Sequence, residues 1–206
     1  MSALQTSEIF SPRVHNLKLS VSTIVAALCL SAAVVAASPA QSQTVTTIHS
    51  FKGTDGANPG NVTLTQGRDG KLYGTTRLGG SNDLGVVFKI TTTGAEQVLY
   101  NFDGAHGAHP AGGLTLGRDG SFYGTTEFGG ATNSGVMFKI TSNGILTVLH
   151  DFTGGSDGLT PFSAPIEAFD DNFYGTTSGE NTSAPSTVYK LTPSGAFTTL
   201  HTFATI

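Results

Sequence analysis

The segment AHGAHP places two imidazole side chains three residues apart, a spacing that can supply two ligands to a metal ion. Asp103 stands nearby as a third ligand for His106 and His109, and such a set suits zinc. Two other segments with the same surroundings carry different polar residues at these places, namely Asp55 and Asn58, then Asp157 and Thr160. A polar turn is therefore the simpler interpretation. We predict no metal and no cofactor, with His106 and His109 as the metal candidates.

Three further candidates stand directly after a repeated phrase, YGTT. They are Arg77, Glu127 and Ser178. Each begins a loop whose sequence differs between copies, and varied loops on a constant frame can form a binding surface. Variation on a surface without a ligand gives the same pattern, so ligand binding and unselected drift are equal alternatives at this point.

Acidic residues offer one route to catalysis. Glycoside hydrolysis uses two carboxyl groups that meet in space, and Glu127, Glu167 and Glu180 are scattered along the chain. The sequence contains no serine-nucleophile elbow, phosphate-binding loop or dinucleotide fingerprint. We therefore predict no catalytic residue. A carbohydrate-active hydrolase or lyase with a site at the mouth of a propeller is the alternative function.

These candidates are embedded in a repeat that fills most of the chain. KLYGTTRLGG begins at Lys71, SFYGTTEFGG at Ser121 and NFYGTTSGEN at Asn172. The segments FKI, FKI and YKL follow at matching distances, and IHSF, LYNF, LHDF and LHTF are four versions of another element. Each unit reads as four short strands joined by turns such as RDG and SNG, because Asp-Gly and Asn-Gly accept the positive φ of tight hairpins.

Four antiparallel strands in roughly 50 residues are typical of a β-propeller blade. We predict an all-β fold of propeller-like repeats, with about three blades in units 52–102, 103–152 and 153–203, preceded by a lone strand at 44–51. A β-sandwich is the alternative because its strand pattern is the same. Closed propellers have about four to eight blades. We therefore expect a homodimer that closes a six-bladed ring, a longer array, or a stack that does not close.

The repeated polar residues have structural explanations. The tyrosine of each YGTT is predicted to face the core while its hydroxyl finds a partner. The aspartate of each hairpin turn is predicted to form an Asx turn, because one loop offers too few oxygens for calcium. The histidine of IHSF, LHDF and LHTF interchanges with tyrosine in LYNF, which predicts flat packing. The residues concerned are Tyr73, Tyr123 and Tyr174; Asp69, Asp119 and Asp170; and His49, His150 and His201.

The stretch DGANPGN, followed by GRDGKLYGTTRLGGSNDLGVVFKITTTGAEQVLYNF, resembles the GloVer-type tandem repeat of exported bacterial proteins. The resemblance covers residues from about 44 to 206 and is looser in the third unit, where GRDG has become AFDD. It implies export and a propeller-like fold. It implies no established catalytic activity, so no catalytic residues are carried over.

The first forty residues are read as a signal peptide. An apolar, alanine-rich run follows a weakly basic start, and Ser38 and Ala40 give the small-x-small pattern of a cleavage site. Cleavage after Ala37 and retention as a membrane anchor are the alternatives. Cys29, the only cysteine, lies in this run. Residues 41–206 would then form a β-repeat domain without a thiol.

Together these features predict a secreted or cell-surface, non-enzymatic repeat protein that acts as an extracellular binding or structural module. The formal charge of −4 is spread without a basic cluster, which excludes nucleic acid as a partner. The expected partners are another protein, a surface glycan or a second copy of the chain, and no membrane after signal cleavage.

Overall fold

A computed structural model describes residues 44–60, 63–179 and 184–203 of the chain, and the regular elements in these ranges are all β-strands. The strands form three antiparallel sheets of four, each built from consecutive strands. This confirms the predicted all-β fold of four-stranded, propeller-like repeats. No helix within these ranges is long and apolar enough to cross a membrane.

We call the sheets blades 1, 2 and 3, and all of them lie in one compact unit, residues 46–206. Blade 1 comprises β1 Thr65–Gln66, β2 Leu72–Thr76, β3 Val86–Ile90 and β4 Glu96–Asn101. Blade 2 comprises β5 Ala108–Leu116, β6 Phe122–Phe128, β7 Val136–Ile140 and β8 Leu146–Asp151. Blade 3 comprises β9 Ile166–Glu167, β10 Phe173–Thr177, β11 Thr187–Leu191 and β12 Phe197–Thr202.

The hairpin between the first two strands of each blade is fixed by its aspartate. In blade 2, the Ser121 amide donates to Oδ1 of Asp119 over 2.9 Å, and the Tyr123 hydroxyl donates to Oδ2 over 3.0 Å. Burial opposes ionisation of Asp119, but hydrogen bonds from Lys139, Ser121 and Tyr123 outweigh it and lower its pKa to about 2. Equivalent bonds occur in blades 1 and 3, which confirms the Asx-turn interpretation.

Consecutive blades pack face to face through the repeated aromatic residues. Tyr73 of blade 1 stacks on Phe122 of blade 2 with ring centroids 4.0 Å apart, and Tyr123 stacks on Phe173 of blade 3 at 3.9 Å. The Thr75 hydroxyl also crosses from blade 1 to blade 2, where it donates to the Gly112 carbonyl over 3.1 Å. Because blade 2 is covered on both sides, its middle strands are buried on both faces, unlike a sheet with one solvated face.

The sequence predicts a lone strand at residues 44–51. Residues 44–51 pair with no strand in the part of the chain that the structure describes, so they form no ladder. Phe51 nevertheless packs edge to face on Phe88 of β3 at 5.0 Å. The backbone of Gly94 also approaches Ile48 closely, since a Cβ at Gly94 would lie 2.1 Å from the Ile48 carbonyl oxygen.

Candidate functional site

The structure brings two of the predicted ligand-binding residues together. Arg77 follows β2 of blade 1, and Glu127 occupies the equivalent place in β6 of blade 2. Nε of Arg77 donates to Oε1 of Glu127 over 3.2 Å, and Nη2 donates to Oε2 over 2.5 Å. This two-point geometry is the strong form of an arginine–carboxylate pair. The hydrogen bond to Glu127 raises the pKa of Arg77.

The ion pair borders a cleft of about 260 Å³ where the three units converge. Gly60, Ala111 and Phe162 follow the repeated proline of their units and all contact this cleft. Its wall therefore combines the guanidinium of Arg77, the carboxylate of Glu127, the ring of Phe162 and backbone at glycine residues. Such a surface can hydrogen-bond a hydroxyl-rich or peptide ligand. Both oxygens of Glu127 already accept hydrogen bonds from Arg77, so this carboxylate is poorly placed to act as a general acid.

Ser178, the third candidate of this set, has a backbone role that matches that of Arg77. Its amide donates to the carbonyls of Leu159 and Thr160 over 3.1 and 3.2 Å, as the Arg77 amide donates to the Asn58 carbonyl over 3.2 Å. Ser178 does not contact the cleft described above. The ion pair is therefore formed between blades 1 and 2 and not repeated with Ser178 on blade 3.

His106 and His109 have separate partners. Nδ1 of His106 lies 2.7 Å from Oδ2 of Asp103, whose Oδ1 accepts the His106 amide at 2.8 Å. Nδ1 of His109 donates instead to the Arg77 carbonyl over 3.1 Å. Among the described residues these two histidines do not share a metal-ligand cluster. His109 has a φ of 53°, and Asn58 and Thr160 at the equivalent positions have φ of 56° and 54°, so this place is a left-handed turn.

Of the acidic candidates, Glu127 and Glu167 have different partners. The Oε2 atom of Glu167 accepts the backbone amide of Arg118 over 2.9 Å, which ties blade 3 to blade 2. Glu180 lies outside the described residues, as do the signal-peptide prediction at 1–40 and its cleavage site after Ala40.

The family described as Gloeobacter/Verrucomicrobia repeat matches residues 31–206. The chain belongs to this family. The resemblance to the GloVer-type repeat is thereby confirmed. The Gloeobacter/Verrucomicrobia repeat accounts for the three similar blades and their common turns. No curated protein matches the sequence.

Among solved structures, this Gloeobacter/Verrucomicrobia repeat chain is similar to virginiamycin B lyase from Staphylococcus aureus, at 20% identity and a TM-score of 0.44. That match covers 66% of this chain and 39% of the lyase. A streptogramin B lyase structure gives 20% identity and a TM-score of 0.44, with 68% of this chain and 40% of that one covered. The chain thus spans less than half the length of either structure.

Among its described residues, the structure contains one cluster of potential metal ligands that the sequence analysis does not predict. His49, Asp55 and Glu96 each place a potential metal-ligand atom within 4.8 Å of the other two. His150 packs flat on Phe197 at 3.9 Å, as predicted for the repeated histidines. At the equivalent place beside His49 the side chain is an acid, Glu96. The available signal was Glu96 itself, because the equivalent residues of the other units are Leu146 and Phe197.

Proposed function

We propose that this chain is a secreted, non-enzymatic repeat protein that acts as a structural and binding module by joining its blades to further blades of the same kind. The observation that carries this proposal is that, in the described part of the chain, both end faces of the three-blade stack expose apolar side chains. The residues exposed on them are equivalents of residues that are buried between the blades. An unpartnered apolar face of this kind marks an interaction surface.

The open face of blade 3 is identified by comparing equivalent aromatic residues. Tyr73 and Tyr123 are almost completely buried, whereas Tyr174 is only half-buried. No other described ring stacks on Tyr174. Phe203 is 50% exposed, although Phe102 and Phe152, its equivalents, are buried. Blade 3 therefore presents to solvent the face that blades 1 and 2 each cover with the following blade.

The open face of blade 1 is the complement of this surface. Leu64 is 43% exposed, and its equivalent Leu114 in blade 2 is 4% exposed. A cleft of about 270 Å³ lies beside it, lined mainly by apolar side chains. Its lining residues are Ile48, His49, Phe51, Pro59, Leu64, Thr75, Phe88 and Ile90. Within the described ranges, only the segment at 46–51 covers part of this face.

The occupant we propose is blade 3 of a second copy, packed head to tail on blade 1. The contacts between the blades of one chain show the expected pattern. Blade 1 packs Tyr73 and Val87 against blade 2, and blade 2 packs Tyr123 and Met137 against blade 3. Tyr174 and Val188 of the second copy would provide these groups. The segments TTIHSF at 46–51 and TTLHTF at 198–203 are close equivalents, so either can serve as the last strand of the joining blade. Such contacts build a ring if the rotation closes and a filament if it does not.

Association is tested by placing a charge on the open face. We expect Val188→Asp to lower the sedimentation coefficient of residues 41–206 to that of a monomer. Ile145→Asp is the matched control, because Ile145 is 67% exposed in a turn of blade 2 and lies away from both end faces. Equal association of the two variants would contradict the proposal.

Export and the absence of catalysis are parts of the same proposal and have their own tests. N-terminal sequencing of the protein from the culture medium should begin at Gln41, after Ala40. A screen of the mature protein against polysaccharides should detect no turnover. Turnover that disappears in Glu127→Gln would favour the enzyme alternative, with its site in the cleft beside Arg77.

A further inference from the structure

The cluster of His49, Asp55 and Glu96 joins three separate parts of the chain. His49 lies in the segment at 44–51, Asp55 in the turn that follows, and Glu96 begins β4. Nε2 of His49 lies 3.1 Å from Oδ2 of Asp55, and both side chains are about four-fifths buried, with 19% and 20% exposure. One ligand atom from each of the three residues lies within 4.8 Å of the others. Atoms this close can share one central ion after small movements of their side chains.

Glu96 carries the observation that points to a ligand. Its Oε1 atom is essentially inaccessible to solvent and has no hydrogen-bond partner among the described residues. Burial raises the pKa of Glu96; the charge of His49 opposes this shift, and that of Asp55 adds to it. A buried carboxylate oxygen without a donor is costly. A cation would satisfy it and would also offset the repulsion between Glu96 and Asp55.

The repeat provides an internal comparison that separates scaffold from site. His150 and Asp157 form the same pair between blades 2 and 3, with Nε2 and Oδ2 3.2 Å apart. There the third position is Phe197, whose ring stacks on the imidazole at an angle of 8°. The histidine–aspartate pair thus occurs at an equivalent place without a third ligand, where an apolar side chain packs on the imidazole. The pair at His49 and Asp55 is therefore accounted for by the scaffold alone. The scaffold does not explain a glutamate at position 96.

We propose that His49, Asp55 and Glu96 bind a divalent transition-metal ion, of which Zn²⁺ fits the ligand set best. One imidazole nitrogen and two carboxylate oxygens leave a fourth, open position, as in three-ligand zinc sites. The backbone amide of Lys52 donates to Oδ1 of Asp55 over 2.6 Å and holds this ligand in orientation.

The test is calorimetric titration of chelator-treated residues 41–206 with Zn²⁺. We expect one ion per chain and a loss of at least tenfold in affinity for Glu96→Leu. Leucine occupies the equivalent position 146, so this variant should fold. Zn²⁺ should also raise the melting temperature of the unsubstituted protein and not that of Glu96→Leu, which gives a second readout.

His106→Ala is the matched control, because His106 is an exposed histidine paired with Asp103. It should bind Zn²⁺ with unchanged affinity. The proposal would be overturned if the unsubstituted protein showed no saturable binding. It would also be overturned if Glu96→Leu bound as tightly, or if the affinity were lost in His106→Ala instead.

Discussion

The three equivalent tyrosines allow the central packing argument to be tested with one substitution at three places. Tyr123 is 1% exposed, stacks on Phe173 at 3.9 Å and donates a hydrogen bond to Asp119. Truncating a fully buried aromatic side chain costs about 3–5 kcal/mol through lost transfer energy and the cavity left behind. We expect Tyr123→Ala to lower the free energy of unfolding by about 4 kcal/mol, and Tyr73→Ala by a similar amount because its burial and stacking are equivalent.

Tyr174→Ala should cost much less in the monomer. Tyr174 is half-buried and has no stacked ring in the described part of the chain, so most of the transfer and cavity loss is absent. We expect a loss that is clearly smaller than that of Tyr123→Ala. The assay is urea unfolding of each variant at a protein concentration low enough to keep the chain monomeric. The Tyr73→Phe and Tyr123→Phe variants serve as controls, since each removes only the bond to its aspartate, worth about 1 kcal/mol.

The reasoning would be refuted if all three alanine variants lost the same free energy at low concentration, because Tyr174 would then be as well packed as the other two. A further result is expected if Tyr174 enters a contact between copies. The loss caused by Tyr174→Ala should then grow as the protein concentration is raised, while the loss caused by Tyr123→Ala should not.

The remaining predictions concern charged groups. Asp119→Asn should cost about 1 kcal/mol near pH 7, less than its pKa of about 2 would imply, because the side chain is 40% exposed. The pKa of Asp119 in the folded protein lies below the ordinary 3.8. The ionised carboxylate therefore stabilises the folded protein fully at pH values above 3.8. The difference between variant and parent should therefore vanish as the pH falls towards 2, as measured by urea unfolding across pH. Arg77→Gln should cost about 1–2 kcal/mol because it leaves Glu127 unpaired at 11% side-chain exposure. The double variant Arg77→Gln/Glu127→Gln should recover part of the melting temperature lost in Arg77→Gln, because it leaves no unpaired charge. If the double variant lost as much as Arg77→Gln alone, the pairing would be contradicted.

The sequence predicts the blades well because each strand and turn is specified locally. Asp119 and the glycine after it favour a hairpin through local turn chemistry, and a similar signal recurs at fixed spacing in all three units, with Asp171 in place of the glycine in the third. Contacts between blades join residues about 50 positions apart, and no local pattern predicts them. The pairing of Arg77 with Glu127 is an example, because both were candidates but nothing in the sequence shows that their side chains meet.

Glu96 illustrates a different limit. Its neighbours in sequence give no reason to group it with His49 and Asp55, because β4 reaches them only after three hairpins have returned the chain. Alignment of the units does distinguish it, since an acid replaces Leu146 and Phe197. Departures from a repeat are therefore the positions where sequence reasoning should look first for a site.

The solution mass of residues 41–206, measured by light scattering after size exclusion, tests the proposed joining of end faces most directly. A head-to-tail contact predicts a discrete dimer with six blades, or a regular series of larger species if the ring does not close. A monomer that persists at high protein concentration would contradict the account, because the faces bearing Tyr174 and Leu64 would then be stable in water without a partner.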